Sequence, residues 1–456
     1  MVRLFGHYCS ASQILLFLAE ATALVGGAAL GSGLLVHELA EGSVQPLPIA
    51  LAALATLVTY QLCLYLGDLY DVRIAGRDRQ DGRRLLRWTG VAAALLGGAS
   101  WLRPDLLPPL ALLGAAACAT ASVLALRTAL PILVGKRRRV LVLGTGARAL
   151  AVARAIERDS SGGVELVGFV GQAAGEAPEP MRLDESRGCE RLCRANGATT
   201  IVVAVEERRG FLRTEELLAC RLHGLEVIEA ARFAESVLRR LPVSELQPSY
   251  LLFSDGWKLS AVHRIVKRLF DLAAAAVLLA VAAPVMLLVG LLVRLTSEGP
   301  VLFRQERIGQ EGRPYTLVKF RTMRADAESI SGPVWAREKD PRITRVGGFL
   351  RKTRLDELPQ IFNVLAGDMS LVGPRPERAF FTEQLRREIP FYDLRLAVKP
   401  GITGWAQILY PYGASVEDAR SKLEFDLYYV KNGSPFLDAV IVFHTVKHVL
   451  FGRGAR

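Results

Sequence analysis

Cysteine is scarce in this chain, and the few present are scattered. Six occur in 456 residues: Cys9, Cys63 and Cys118 in apolar stretches, and Cys189, Cys193 and Cys220 near the middle. Their spacing supplies neither a disulfide framework nor a metal-ligand set, and the C-x-x-x-C at 189–193 places two small residues about one helical turn apart. Acids are outnumbered as well, 45 Asp and Glu against 57 Lys and Arg, for a net charge of +12. Such an excess suits nucleic acid, an anionic membrane surface or phosphorylated substrates. Aromatics make up only 7% of the chain. None interleaves a basic patch and no zinc-finger spacing occurs, so no nucleic-acid partner is expected.

Charge is missing from several long runs. Apolar residues are 51% of the chain, high for a soluble protein. Residues 12–36, 47–67, 89–102 and 106–130 are four apolar stretches, the third extended by Leu85, Leu86 and Trp88. Each is near the roughly 20 residues that a bilayer-crossing helix needs. The first connection, HELAEGSVQP, has no Lys or Arg, and the third has only Arg103. The second carries Arg73, Arg77, Arg79, Arg83, Arg84 and Arg87. Positive charge favours the cytoplasm, which places that loop, the N-terminus and the basic run 136–139 on the cytoplasmic side. The first run lacks a small-residue cleavage site and is followed by others, so it is expected to be retained. The expectation for 1–135 is a four-helix transmembrane bundle in a multi-domain membrane protein.

From Arg139 the pattern changes. RVLVLGTGARALAVARAIE reads as a strand, a Gly-rich turn and a helix, with further strands at VELVGFVG, TTIVVAV and LEVIEA. Strands alternating with helices indicate a doubly wound parallel sheet, here an α/β Rossmann-like cytosolic domain over 136–240. Gly144-x-Gly146-x-x-Ala149 fits a dinucleotide fingerprint. No acid is cleanly placed after the second strand to hold a ribose, so the glycines serve either a bound nucleotide or only the turn and close helix packing. Residues 241–262, with Pro242, Pro248 and Gly256, read as a linker.

Residues 272–293 are 22 consecutive uncharged positions with Pro284 near the middle. A spanning helix is the ordinary reading. Arg264, Lys267 and Arg268 precede the run, however, and Arg294, Arg304, Arg307 and Arg313 follow it, so both ends prefer the cytoplasm. Proline breaks the helical bond ladder and permits a bend. A re-entrant helix over 268–295, kinked at Ala283-Pro284 and returning to the same face, satisfies both facts.

The last part of the chain holds the chemistry. Asp356 and Glu357 are adjacent carboxylates among Arg351, Lys352, Arg354 and Arg375. One carboxylate can attack phosphorus or hold a divalent metal, the second can act as base or metal ligand, and the arginines can fork onto phosphate oxygens. Upstream, Lys319 and Arg321 are candidates for a nucleotide diphosphate, or form a basic face toward anionic lipid. Residues 325–345 read as a polar loop over the site, and 345–370 as a helix carrying the carboxylates near a start or break marked by Pro359. Pro374 and Pro376 stiffen the backbone around Arg375, which suits a rigid phosphate contact. Trp405 is a candidate lipid-interface anchor.

The stretches KRLFDL (267–272), KFRTM (319–323), LDELPQ (355–360), GDMSLVGPRP (367–376), KPGITGWAQ (399–407) and YYVKN (428–432) occur in this order. Together they make the region 263–456 resemble the bacterial sugar transferase family, the polyprenyl-phosphate hexose-1-phosphate transferases, in its large form. The resemblance implies an α/β catalytic domain with a re-entrant membrane helix broken at Pro284. It implies that Asp356 is the nucleophile, that Arg351 and Arg375 bind phosphate, and that a UDP-sugar is the donor and undecaprenyl phosphate the acceptor. UMP would be released through a covalent aspartyl-phosphosugar, priming exopolysaccharide, capsule or O-antigen synthesis at the cytoplasmic face of the bacterial inner membrane. Asp356 and Glu357 would position Mg²⁺, with Glu357 alternatively acting as base. The rivals are a membrane glycosyltransferase that releases UDP, and a non-catalytic membrane-tethered nucleotide sensor or assembly protein. The sequence names no sugar and no oligomeric state, although the helices and the α/β domain offer surface for a homodimer.

Overall fold

The computed structural model describes residues 2–4, 7–9, 11–39, 46–67, 69, 80–102, 104, 109–133, 138–158, 163–171, 182–183, 188–205, 214–243, 246, 248–257, 260–324, 340, 342–410, 413 and 415–451. Most of the Arg-rich connection and of the loop 325–345 lies outside the described residues. The chain forms two compact units, one of Met1–Val2 with Cys9–Ile228 and one of Arg3–Tyr8 with Glu229–Arg456.

A two-stranded ribbon, β1 (Val2–Leu4) and β2 (His7–Cys9), precedes four helices, α1 (Ala11–Leu39), α2 (Pro46–Leu66), α3 (Gln80–Leu102) and α4 (Pro109–Leu133). Each overlaps one expected apolar stretch. α1 packs on α2 and α4, and α3 on α2 and α4. Small residues permit the α1–α4 approach: a Cβ on Gly31 would lie 2.0 Å from the Gly114 carbonyl oxygen. Polar groups face inward. The Tyr60 hydroxyl lies 2.9 Å from the Thr120 hydroxyl, and Arg127 Nε donates to the fully buried Glu20 at 2.6 Å. Leu15, Leu30, Leu54, Val58, Trp101 and Leu113 face outward.

The α/β part runs β3 (Arg138–Leu143), α5 (Ala147–Arg158), β4 (Val164–Val170), β5 (Arg182–Leu183), α6 (Cys189–Asn196), β6 (Thr200–Val203), α7 (Thr214–Leu222) and β7 (Glu226–Glu229). The sheet order is β5-β4-β3-β6-β7, with β3 parallel to β4 and β6, and β4 parallel to β5. Gly144 ends β3 at φ +128°, and a Cβ there would meet the Ala204 carbonyl at 2.7 Å, so the turn itself requires glycine. Gly146 directly precedes α5. Cys189, Cys193 and Cys220 are free and buried, and burial pushes the Cys189 and Cys193 thiols up to about 12, which leaves them unreactive at neutral pH.

The second unit contains α8 (Ala230–Leu238), α9 (Pro248–Phe253), α10 (Ala261–Thr296), the hairpin β8 (Leu302–Ile308) and β9 (Pro314–Phe320), and α11 (Arg345–Thr353). There follow a 3-10 turn (Leu355–Glu357), α12 (Gln360–Ala366), β10 (Ser370–Val372), α13 (Ala379–Glu388), a 3-10 stretch (Tyr392–Ala397), β11 (Gly401–Thr403), α14 (Trp405–Leu409), α15 (Val416–Asn432) and α16 (Pro435–Phe451). The division falls at Ile228/Glu229 rather than near 240. Within the expected linker 241–262, Leu241, Val243 and Tyr250 belong to the main core of this unit. Lys431 Nζ meets Glu235 Oε2 at 2.6 Å and the Tyr250 hydroxyl at 2.7 Å, which ties the YYVKN stretch to α8 and α9.

Trp405 differs from its expected place. It is 2% exposed, stacks on Tyr428 at 5.9 Å and donates to the Arg239 carbonyl at 2.9 Å. A partnered core residue is not available as a lipid anchor.

α10 is one 36-residue helix that runs through Pro284. Its first turns explain the KRLFDL wording. Arg268 donates to the Val364 and Leu365 carbonyls at 2.6 and 3.0 Å, closing the end of α12. Buried Asp271 accepts from the Ser370 hydroxyl and the Leu371 amide, and Lys267 pairs with Asp438 at 2.8 Å. Beyond this anchor Val277, Val281, Leu287, Leu288, Leu291 and Leu295 are exposed. Among the described residues α10 is the helix long and apolar enough to cross a membrane. α1, α2 and α4 carry the shorter apolar stretches Leu15–Gly31, Ala50–Leu66 and Ala111–Arg127.

Candidate active site

The helix expected over 345–370 is interrupted where the carboxylates lie. Thr344 caps α11 by accepting from the Gly347 amide at 2.9 Å, and Arg354 ends it in the left-handed region at φ +57°. The turn Leu355–Glu357 follows, Pro359 precedes α12, and Gly367 at φ +97° closes that helix. Asp356 and Glu357 therefore occupy a break between two helices. A non-glycine residue at positive φ is tolerated only where its surroundings hold it, a feature concentrated at functional sites.

Asp356 is buried, and burial, followed by the Glu357 charge, pushes its carboxyl up to about 6 against the opposing pull of Lys319, Arg351 and Arg375. Glu357 behaves oppositely. Burial would raise it, but Arg375 and Arg354 outweigh burial and hold it below the usual carboxylate range. Arg375 Nη2 donates to Glu357 Oε1 at 3.0 Å, and Arg354 Nη1 lies 3.7 Å from Oε2. Two adjacent carboxylates are thus driven apart in proton affinity.

The hairpin brings in the next cation. Asn363 of α12 accepts from the Val318 amide at 3.1 Å and donates to the Thr316 carbonyl at 2.7 Å, which locks β9 beside the turn. Lys319 follows on β9, with Nζ 5.3 Å from the Phe303 ring centroid and, among the described residues, no acid within salt-bridge distance. Burial, then Arg307, Arg351 and Arg375, pull its ammonium down to about 8. Arg351 donates through Nε to the Thr322 hydroxyl at 2.9 Å. Arg321, two positions from Lys319, is not brought to the carboxylates. It donates to the Glu298 and Ser297 carbonyls and the Ser297 hydroxyl, holding the end of α10.

Arg375 arrives from another direction. β10 pairs in parallel with β11, Ser370 opposite Gly401 and Val372 opposite Thr403. The two turns touch main chain to main chain, since a Cβ on Gly401 would lie 2.1 Å from the Gly373 amide nitrogen. That contact presents the turn 373–376 toward Glu357.

The site gathers Asp356, Glu357, Lys319, Arg351 and Arg375, and leaves out Arg321; Gly144 and Gly146, the candidates for a nucleotide in the accessory domain, belong to the other unit. Pro284 lies within the apolar part of α10. Sequence reasoning missed Arg307, which sits opposite Tyr315 in the hairpin register and donates to the Pro376 carbonyl at 3.2 Å. Its signal, an Arg on an alternating strand, is too common to single out.

Residues 262–452 match the bacterial sugar transferase family. A Rhizobium leguminosarum bv. phaseoli exopolysaccharide production protein PSS is 43% identical over 190 residues, 40% of this chain and 94% of that protein. The chain belongs to the bacterial sugar transferase family. An Aeromonas hydrophila UDP-N-acetylgalactosamine-undecaprenyl-phosphate N-acetylgalactosaminephosphotransferase is 44% identical over 240 residues, 53% of this chain and 56% of the relative. An undecaprenyl-phosphate glucose phosphotransferase of Komagataeibacter xylinus is 34% identical over 335 residues, 70% of this chain and 60% of that protein. The match covers 56% and 60% of the length of these two relatives.

The donors at the site suit one class of metal. Among the described residues no three His, Cys, Asp or Glu side chains converge as a ready-made metal cage. Magnesium is commonly held by one or two carboxylates together with water and substrate phosphate, so Asp356 and Glu357 fit it.

Proposed function

We propose that this bacterial sugar transferase moves a sugar-1-phosphate from a UDP-sugar to undecaprenyl phosphate and releases UMP. The observation that carries the reading is a buried carboxylate, Asp356, set at a helix break beside Glu357 and faced by Lys319, Arg351 and Arg375. The names of the Aeromonas and Komagataeibacter relatives support the donor and acceptor classes.

In the first step an Asp356 oxygen attacks the β-phosphorus, the bond to the bridging oxygen breaks, and UMP leaves with that oxygen. In the second, a phosphate oxygen of undecaprenyl phosphate attacks the same phosphorus and Asp356 leaves as carboxylate, giving undecaprenyl diphosphate-sugar. Splitting the exchange lets one small site serve a water-soluble donor and a lipid acceptor in turn. Arg375, Arg351 and Lys319 bind and orient the phosphates and oppose the charge that develops on them. Arg375 keeps Glu357 ionised, which suits a ligand better than a base. Mg²⁺, held by Asp356 and Glu357, would polarise phosphoryl oxygens when bound.

The membrane arrangement belongs to the same proposal. The outward apolar side chains of α1 to α4 suit a four-helix transmembrane bundle, and the strand order of β3 to β7 suits a Rossmann-like cytosolic domain. α10 would enter the cytoplasmic leaflet, bend at Pro284 and return. Pro284 supports this because it cannot donate to the Ala280 carbonyl, and Arg264 and Arg294 at the two ends both favour the cytoplasm.

The test is nucleotide release from protein in nanodiscs given undecaprenyl phosphate, Mg²⁺ and a panel of UDP-sugars. UMP release that needs both the lipid and Asp356 supports the reading. Release of UDP would mean transfer of the sugar alone and would remove Asp356 as nucleophile.

A further inference from the structure

The carbonyl oxygens of the turn that carries Arg375 are held one by one. Pro374 O accepts from the Gly401 amide at 3.0 Å, Arg375 O from Arg395 Nη2 at 2.9 Å, Pro376 O from Arg307 Nη1 at 3.2 Å, and Glu377 O from the Ile308 amide at 3.0 Å. Four successive carbonyls are thus gripped by β11, the 3-10 stretch Tyr392–Ala397 and β8. Two of the four donors are arginine side chains.

The contact to Arg375 O has a particular consequence. Proline rings fix φ at Pro374 and Pro376, and a residue before proline is itself restricted. Pro376 confines the Arg375 ψ to the extended range, so the peptide plane that carries the Arg375 carbonyl has a nearly fixed relation to its Cα and side chain. Whatever holds that carbonyl therefore sets the direction in which the Arg375 side chain leaves the backbone.

Arg395 is built for that task. It is buried, and its guanidinium also donates to Asp426 Oδ2 through Nε at 3.1 Å and Nη2 at 2.8 Å, and to the Tyr392 hydroxyl through Nη1 at 3.1 Å. Asp426 is buried on α15. A planar fork satisfied by three groups has little freedom left. We propose that Arg395, anchored by Asp426 and Tyr392, is a positioning residue that aims the Arg375 guanidinium at Glu357 and at bound phosphate. It acts through the main chain and touches neither carboxylate of the pair. The proposal rests on the reading of Arg375 as a phosphate ligand.

The experiment uses the whole chain in nanodiscs with inorganic pyrophosphate as the probe, its affinity measured by calorimetry and the thermal midpoint recorded alongside. Arg375→Ala sets the loss that follows from removing the guanidinium. Arg395→Lys keeps charge but loses the fork, and it should weaken binding on the order of tenfold, as partners behind a ligand commonly do. The same change made on top of Arg375→Ala should add nothing. Tyr392→Phe removes one anchor only and decides the matter if Arg395→Lys does not fold; it should weaken binding in the same direction. A lowered thermal midpoint with unchanged affinity in both variants would make Arg395 merely structural and overturn the proposal. Losses that multiply in the double variant would overturn it too. Unchanged affinity in Arg375→Ala would sink this proposal and the phosphate role of Arg375 together. Release of UDP in the transfer assay would overturn the reaction while the affinity series still decides Arg395.

Discussion

Arg375 Nη2 lies 3.0 Å from Glu357 Oε1, although 18 positions separate the two residues. One comes from a proline-flanked turn after β10 and the other from the break between α11 and α12. Their ion pair keeps Glu357 charged, and that charge raises the proton affinity of Asp356 beside it. The pair therefore tunes the Asp356 carboxyl from one residue away.

The pH profile of UMP release should be bell-shaped. Asp356 must lose its proton to attack, so activity should fall as pH drops through about 6. Lys319 must keep its proton to hold phosphate, so activity should fall again as pH rises through about 8. Glu357→Gln removes the neighbouring negative charge and should move the acid limb to lower pH. An acid limb that stays in place in Glu357→Gln counts against Asp356 as the titrating group.

Asp356→Asn should abolish transfer and yet stabilise the protein. The folded-state carboxyl titrates near 6 against an ordinary value of 3.8, so the folded state binds its proton more tightly than the unfolded chain. Stability from this group is therefore lost as pH rises from about 4 to about 6, a difference of up to about 3 kcal/mol. Denaturation in detergent should show Asp356→Asn more stable than wild type at pH 8, with the gain vanishing below about pH 4. Equal stability at pH 8 would mean that the buried charge costs nothing.

Lys319 and Arg321 should separate cleanly despite lying two residues apart. Lys319→Ala should raise the donor KM by about tenfold or more, with little loss of stability. Arg321→Ala removes the donor to the Ser297 and Glu298 carbonyls and should destabilise by roughly 1–3 kcal/mol, while the folded fraction keeps its donor KM. Kinetics and thermal unfolding of both variants check the contrast.

Gly401→Ala should disable the enzyme from a position with no chemistry. Its Cβ would lie 2.1 Å from the Gly373 amide nitrogen, forcing β10 and β11 apart and displacing the Arg375 turn. Overpacking of this kind costs about 1–3 kcal/mol, and a shift near 1 Å at the site costs about a hundredfold in rate. A stable, fully active Gly401→Ala would show that the turn does not rely on that contact.

Much of this protein was readable in its residue order. Apolar runs located α1 to α4 and α10, because helix burial follows local composition. Alternating strand and helix patterns located the parallel sheet, and the wording around Asp356-Glu357 marked the candidate site, because adjacent carboxylates among arginines are a local feature. Less was readable where packing decides. Arg321 carries the same charge as Lys319, and only the nearby end of α10 shows that its donors are spent on backbone. Residues 241–262 have the prolines of a linker, yet Tyr250 and Leu241 find a core made by distant helices. Trp405 looks like an interface residue until Tyr428 and the Arg239 carbonyl enclose it. The sequence by itself determined which groups could do chemistry and which helices are apolar. Only the tertiary structure decided which cations reach the carboxylates, because Lys319, Arg351 and Arg375 stand on three separate elements whose meeting is set by long-range packing.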